Sequence, residues 1–124
     1  MSSPPSRQRK SKSACGLDFG TSNSGVSIPD GASIRLVELE GAATTIPSAV
    51  FFALEDSQPV LYGRAAVDEY LDGTPGRLMR SLKSVLGSSL MHETTAIGTR
   101  SIVYADILTL YLRTLRERAR VQPN

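Results

Sequence analysis

The amino-acid sequence predicts an α/β fold, in which a mixed sheet with antiparallel hairpins comes first and helices follow. In the first half of the chain, short apolar segments alternate with turns rich in Gly, Pro, Asp and Ser, which is typical of strands. In the second half, segments of helix-forming residues follow one another. The chain has 124 residues, of which 40% are hydrophobic and 21% charged, as in one folded domain. Strands followed by helices indicate an α/β or α+β unit.

The predicted strands rest on alternation and on turn chemistry. Residues 15–28 run from an apolar segment through a Gly/Ser/Asn turn to a second apolar segment, which predicts a hairpin. Residues 33–40 alternate between apolar and polar side chains, and this pattern predicts a half-buried strand with an irregularity near Val37. Residues 49–54 (AVFFAL) form a continuous apolar run and predict a buried strand, alongside which residues 59–62 return.

Three helices are predicted in the second half. Residues 64–71 (RAAVDEYL) are good helix formers and predict a helix, which ends before the Gly- and Pro-containing segment that begins at Gly73. Residues 77–86 (RLMRSLKSVL) predict a short helix that ends at Gly87. The segment 105–119 gives the clearest helical periodicity, with one apolar face. That face consists of Leu108, Tyr111, Leu112, Leu115 and Ala119.

Charge is distributed unevenly along the chain. Residues 1–14 (MSSPPSRQRKSKSA) have no apolar periodicity and predict a disordered basic leader ahead of one folded unit over residues 15–124. The leader's charged residues are all basic: Arg7, Arg9, Lys10 and Lys12. The remainder holds 10 basic and 12 acidic residues, so the folded unit has no basic bias and nucleic acid is not expected as a partner.

The sequence also bears on the compartment. Cys15 is the only cysteine, so an intrachain disulfide is impossible and a disulfide-stapled secreted fold is excluded. No apolar run approaches 18 residues, and Ser, Pro and Gln stand where a signal peptide needs an apolar stretch. We therefore expect a cytoplasmic protein without membrane contact.

The segment that indicates chemistry is GLDFGTSNSG, which starts at Gly16. Asp18 stands where the predicted strand meets a tight turn, and Gly20 lets the backbone approach a ligand closely. Thr21 and Ser22 supply hydroxyl groups, and successive turn amides form an anion site. Because a carboxylate repels phosphates unless a divalent cation lies between them, Asp18 is interpreted as a Mg²⁺ ligand, acting through water. The alternative is an ordinary hairpin turn in which Asp18 caps its own backbone.

Other nucleotide-binding and metal-binding motifs are absent from the sequence. It contains neither G-x-x-x-x-G-K-[ST] nor G-x-G-x-x-G, so a P-loop and a Rossmann site are excluded. The tripeptide Asp18-Phe19-Gly20 occurs without the glycine loop, strand lysine or His-Arg-Asp loop of protein kinases. His92 is the only histidine and has no partner at metal-ligand spacing, so we expect a structural position for it.

These segments together resemble a known family. The run GLDFGTSNSGVSI resembles the opening phosphate motif of the seventy-kilodalton heat-shock (DnaK-like) chaperones, which have the actin and hexokinase-like, ribonuclease H-like ATPase fold. Residues 45–52 (TIPSAVFF) resemble the family's T-x-P-S-x-V-x-F strand, and residues 63–66 (GRAA) its G-x-x-A helix start. Residues 82–87 (LKSVLG) resemble its K-R-L-I-G segment. The run at 76–84 (GRLMRSLKS) and the Arg-rich final helix look most like the YegD-type branch.

The resemblance implies ATP and Mg²⁺ as cofactors and a role for particular residues. It implies that Asp18 orients the Mg²⁺ shell and that Lys83 reaches the γ-phosphate and positions the attacking water. The alternative for Lys83 is a solvent-exposed lysine on a helix. In the chaperones an aromatic residue often stands at the position of Asn23. The residues implied to wrap the β- and γ-phosphates are Gly20, Thr21, Ser22 and Asn23.

The resemblance covers only the first part of the first lobe of such an ATPase. We therefore expect an N-terminal fragment that binds ATP or ADP but has little ATPase activity alone, because phosphoryl transfer needs positioning from both sides of the nucleotide. Unfolded polypeptide clients would bind through domains that this sequence lacks. Two alternatives remain open: a non-enzymatic interaction module that keeps the fold, or a fragment of a sugar kinase of the same superfold.

Overall fold

The computed structural model describes residues 14–120, and the predicted basic leader lies outside them except for Ala14. The strands are Gly16–Phe19 (β1), Asn23–Asp30 (β2), Ser33–Leu36 (β3), Ile46–Pro47 (β4), Val50–Ala53 (β5), Leu61–Tyr62 (β6), Gly76–Met79 (β7), Thr94–Ile97 (β8) and Arg100–Val103 (β9). The helices are Arg64–Leu71 (α1) and Tyr104–Arg120 (α2), and two short 3-10 turns span Leu82–Val85 and Ser89–His92. The predicted class is confirmed as a mixed α/β chain with antiparallel sheets and two α-helices.

The first sheet has the order β1–β2–β3, and β4 pairs with the start of β2. All of its pairings are antiparallel, and the predicted hairpin of β1 and β2 is confirmed. The predicted strand after it ends at Leu36, where the side-chain alternation changes phase. Ile34 and Leu36 are 72% and 58% exposed, whereas Val37 is fully buried. The irregularity expected near Val37 is therefore confirmed, and it directs the following residues into the core.

The second sheet has the order β6–β5–β7 and carries α1 on one face. Every residue of β5 is buried, as its continuous apolar run predicts. Helix α1 has the predicted bounds and packs through Ala66, which is fully buried. The carboxylate of Glu40, from the loop after the first sheet, accepts hydrogen bonds from the backbone amides of Arg64 (2.8 Å) and Ala65 (3.2 Å). A carboxylate at this position satisfies amides that the first helical turn leaves unpaired.

The helix predicted over residues 77–86 is wrong. Gly76–Met79 forms strand β7, antiparallel to β5, and only Leu82–Val85 turns as a 3-10 segment. Between them, Ser81 adopts a left-handed conformation with φ 55°. Strand β5 is buried on both faces, so its second edge needs a partner for its backbone groups, and this requirement outweighs the weak helix propensity of a short segment.

Hairpin β8–β9 was not predicted, and it leads directly into α2. Arg77 of β7 holds the hairpin by donating to the Thr95 hydroxyl and to the carbonyl of Ala96. The predicted final helix is confirmed in α2, whose buried residues also include Ile107, which the predicted face omitted. The main core lies between the first sheet, one face of the second sheet, the first 3-10 turn and α2, and it includes Ile97 of β8. The β1–β2 hairpin is thus anchored on this core.

Candidate phosphate-binding site

The turn between β1 and β2, residues 20–22, is closed by one backbone hydrogen bond. The amide of Gly20 donates to the carbonyl of Asn23 at 2.9 Å. A Cβ atom added at Gly20 would lie 2.5 Å from that same oxygen, a distance that the backbone would have to relieve by opening. Gly20 is therefore required by the closeness of the two strands at this turn.

The exposed groups of the β1–β2 turn are available to a ligand. Thr21 and Ser22 are exposed, and neither their amides nor their hydroxyls donate a hydrogen bond to any other residue between 14 and 120. Two adjacent amides without an internal acceptor are suited to an anion, and hydroxyl groups beside them add donors. The turn therefore presents unpaired backbone and hydroxyl donors on its exposed surface.

Asp18 lies on β1 opposite Gly25 and is exposed. Side chains directly opposite each other in an antiparallel pair share a face, so Asp18 lies on the face away from the buried Val26. Its carboxylate makes no hydrogen bond or ion pair with another residue of the described chain. The alternative in which Asp18 caps its own turn therefore has no contact that supports it.

A cleft of about 370 Å³ opens on the same face of the hairpin. Its polar rim includes Asp18, Asn23, Thr44 and Thr45, and its one long aliphatic wall on that face is Leu36. Gly16 and Gly25 also line the cleft, and neither has a side chain that would occupy it. The structure thus brings Asp18 and Asn23 together in one concave surface, while Gly20, Thr21 and Ser22 lie at the turn beyond its lining.

Beneath the turn lies a buried polar network that the sequence analysis missed. Ser24 and Ser48 are each 2% exposed, and their hydroxyl oxygens are 2.8 Å apart. The hydroxyl of Tyr111, from α2, donates to the carbonyl of Pro47 at 3.1 Å. Burial raises the pKa of the Tyr111 hydroxyl, although the nearby hydroxyl groups of Ser24 and Ser48 act in the opposite direction. A signal was present in the sequence, since a serine directly before an apolar strand must find a partner when it is buried.

Lys83 is not among the residues that line this cleft. It is exposed on the 3-10 turn Leu82–Val85, and its ammonium group makes no hydrogen bond or ion pair within residues 14–120. It stands on a 3-10 turn rather than on the helix predicted for it. Its apolar neighbours Leu82 and Val85 are both buried, so the backbone around Lys83 is fixed by the core.

The described part of the chain has no cluster of three or more His, Cys, Asp and Glu side chains that would hold a metal by themselves. Among the described residues that line the cleft, Asp18 is the one carboxylate. His92 is exposed at the end of the second 3-10 turn.

No protein-family model matches this sequence. Among the helices of residues 14–120, none combines the length and the apolar character needed to cross a membrane.

Proposed function

We propose that this chain binds the phosphates of ATP together with Mg²⁺ through the β1–β2 turn, as the opening part of an actin-like ATPase lobe of the DnaK-like chaperone class. The observation that carries the proposal is the combination of unpaired amides at Thr21 and Ser22 with the unpaired carboxylate of Asp18. The sequence resemblance of this segment to the family's phosphate motif is independent support. The mixed α/β architecture with antiparallel strands is compatible with such a lobe.

Each group has a separate part in the proposed binding. The amides of Thr21 and Ser22 donate to phosphate oxygens, and their hydroxyls supply further donors. Gly20 keeps the turn closed and leaves its surface free of a side chain. Asp18 holds Mg²⁺ through water, and the bound ion supplies the positive charge that makes a carboxylate and a polyphosphate compatible neighbours.

Multiple-turnover hydrolysis by the chain alone is not part of this function. Phosphoryl transfer depends on groups that position the nucleotide from several sides. Within residues 14–120 the cleft carries a single carboxylate, and Lys83 is not among its lining residues. In the proposal, Lys83 acts on the γ-phosphate only when the complete site is assembled. Sustained phosphate release by the purified chain would contradict this part of the proposal.

The test is calorimetric titration of Mg-ATP into the folded chain and into two carboxylate variants. We expect the unmodified chain to bind with a Kd tighter than about 1 mM, roughly 4 kcal/mol of binding free energy. Asp18→Ala should remove most of this affinity. Asp68→Ala is the matched control, since Asp68 is an exposed aspartate on α1, outside the cleft, and alanine is a better helix former.

Repeating the titration in EDTA distinguishes two roles for Asp18, that of a metal ligand and that of a structural residue. Without Mg²⁺ the carboxylate faces the phosphates directly, so Asp18→Ala should bind ATP as well as or better than the unmodified chain. A chain that is folded by circular dichroism yet binds no Mg-ATP would defeat the proposal. That result would favour the alternative of an interaction module that keeps the fold without the chemistry.

A further inference from the structure

Ser48 contacts the β1–β2 turn at two points. Its backbone amide donates to the carbonyl of Ser22 at 2.9 Å. Its hydroxyl donates to the carbonyl of Gly20, also at 2.9 Å. One buried residue therefore satisfies two of the carbonyl groups of a three-residue turn: its amide extends the pairing of β4 with β2, and its hydroxyl reaches Gly20.

These two bonds fix the direction of two amides, those of Thr21 and Asn23. Every peptide bond in the described chain is trans, so each C=O points opposite to the N–H of the next residue. The Gly20 carbonyl points down to Ser48, and the amide of Thr21 consequently points up, towards the side that carries Asp18. By the same geometry, the carbonyl of Ser22 turns the amide of Asn23 away from Ser48.

Ser48 is in turn held by two further residues. A hydroxyl has one hydrogen, and that of Ser48 is used on Gly20, so Ser24 is the donor across the 2.8 Å contact between the two hydroxyls. The hydroxyl of Tyr111 donates to the carbonyl of Pro47, which immediately precedes Ser48. The Tyr111 ring also packs against Phe19 of β1, with ring centroids 5.9 Å apart. Helix α2 thus supports both sides of the turn.

We infer that Ser48 is a positioning residue for the phosphate site, which orients the amide of Thr21 towards the ligand, and that Tyr111 ties this orientation to α2. The inference rests on the proposed function, because it assigns the purpose of the network to binding at the turn. A positioning role for Ser48 differs from a purely structural role in one measurable consequence. Loss of the Ser48 hydroxyl should alter the turn amides and the affinity for Mg-ATP, beyond any loss of global stability.

The experiment compares Ser48→Ala with Thr95→Val. Thr95 is also a buried residue whose hydroxyl has a hydrogen-bond partner, but it lies on β8, in the other hairpin. Amide NMR shifts of Thr21 and Asn23 are recorded without nucleotide, and Mg-ATP affinity is measured by calorimetry at a temperature where both variants are folded. Ser48→Ala should move the Thr21 amide signal more than that of Asn23, because the Ser22 carbonyl keeps its bond to the backbone amide of residue 48. It should weaken binding by about tenfold, the effect of one lost orienting hydrogen bond. Thr95→Val should do neither.

Each other outcome has a distinct meaning. Unchanged amide shifts and affinity in a folded Ser48→Ala variant, with binding intact in the unmodified chain, would overturn the inference alone. Absence of binding in the folded unmodified chain would instead overturn the proposed function, and the inference with it. If Ser48→Ala does not fold, Ser24→Ala removes only the supporting donor. It should then weaken binding by about threefold, and unchanged affinity in that variant would overturn the inference.

Discussion

The two turns that bound β2 have similar composition but different surroundings. The β1–β2 turn stands on buried hydroxyl groups, and its carbonyls at Gly20 and Ser22 both accept hydrogen bonds from Ser48. The β2–β3 turn at Gly31 and Ala32 is exposed, and a Cβ atom added at Gly31 would meet nothing within 4 Å. Close to it, Ile34 is 72% exposed.

This difference separates a turn that joins two strands from a turn that presents groups to a ligand. At the β2–β3 turn, the left-handed backbone of Gly31, with φ 63°, is enough to reverse the chain. At the β1–β2 turn Ser48 donates hydrogen bonds to the carbonyls of Gly20 and Ser22, whereas the amides of Thr21 and Ser22 remain unpaired within the described residues. A ligand site needs such fixed, unpaired donors, because a flexible turn would lose their orientation on binding.

The largest expected contrast comes from placing alanine in each turn. In Gly20→Ala the new Cβ would lie 2.5 Å from a backbone oxygen, so the turn must open. We expect a loss of about 2–3 kcal/mol in the free energy of unfolding, together with loss of Mg-ATP binding. Gly31→Ala should cost only about 1 kcal/mol for its left-handed backbone and leave binding unchanged. Denaturant titration and calorimetry measure both. Equal effects of the two substitutions on binding would contradict the proposed difference between the turns.

A second contrast uses pH, because Tyr111 lies beneath only one of the turns. Burial raises the pKa of its hydroxyl above the ordinary value of 10.0. The ionised form is thus less favourable in the folded chain, so the associated stability is fully present below about pH 10 and falls as the pH rises further. Relative to Tyr111→Phe, the free energy of unfolding of the unmodified chain should fall by up to about 1.4 kcal/mol per pH unit above that point. A difference between the two that stays constant from about pH 8 to pH 11 would contradict this.

The parts of the fold that could be predicted are those in which local pattern and tertiary packing agree. The β1–β2 hairpin, the buried strand β5 and helix α1 follow from apolar runs and from turn residues that lie next to each other in sequence. Strand β7 could not be predicted in this way. Its pairing with β5 is a non-local demand for backbone partners, and it outweighs the propensity of a four-residue segment.

The residues of the candidate site also fall into two groups, those identified from local sequence and those identified only from tertiary contacts. Asp18, Gly20, Thr21 and Ser22 could be identified because they are consecutive or nearly so, and their chemistry can be inferred from residue type. Ser48 and Tyr111 could not be assigned a role, because they are distant in sequence from the turn that they support: Ser48 lies 28 residues after Gly20, and Tyr111 lies further along the chain. Only the three-dimensional structure shows which buried hydroxyl meets which carbonyl.

The smallest expected effect comes from a substitution next to the exposed β2–β3 turn. Asp30 lies at the end of β2 with 63% of its side chain exposed, and its carboxylate is 3.9 Å from the guanidinium of Arg35. An ion pair that is open to solvent contributes little, so Asp30→Ala should change the free energy of unfolding by no more than about 0.5 kcal/mol. It should also leave Mg-ATP affinity unchanged. Like Asp18→Ala, it removes one negative charge, but from β2, the strand paired with the one that carries Asp18. Weaker binding in Asp30→Ala, measured by the same calorimetric titration, would indicate that net charge rather than the position of Asp18 governs the interaction.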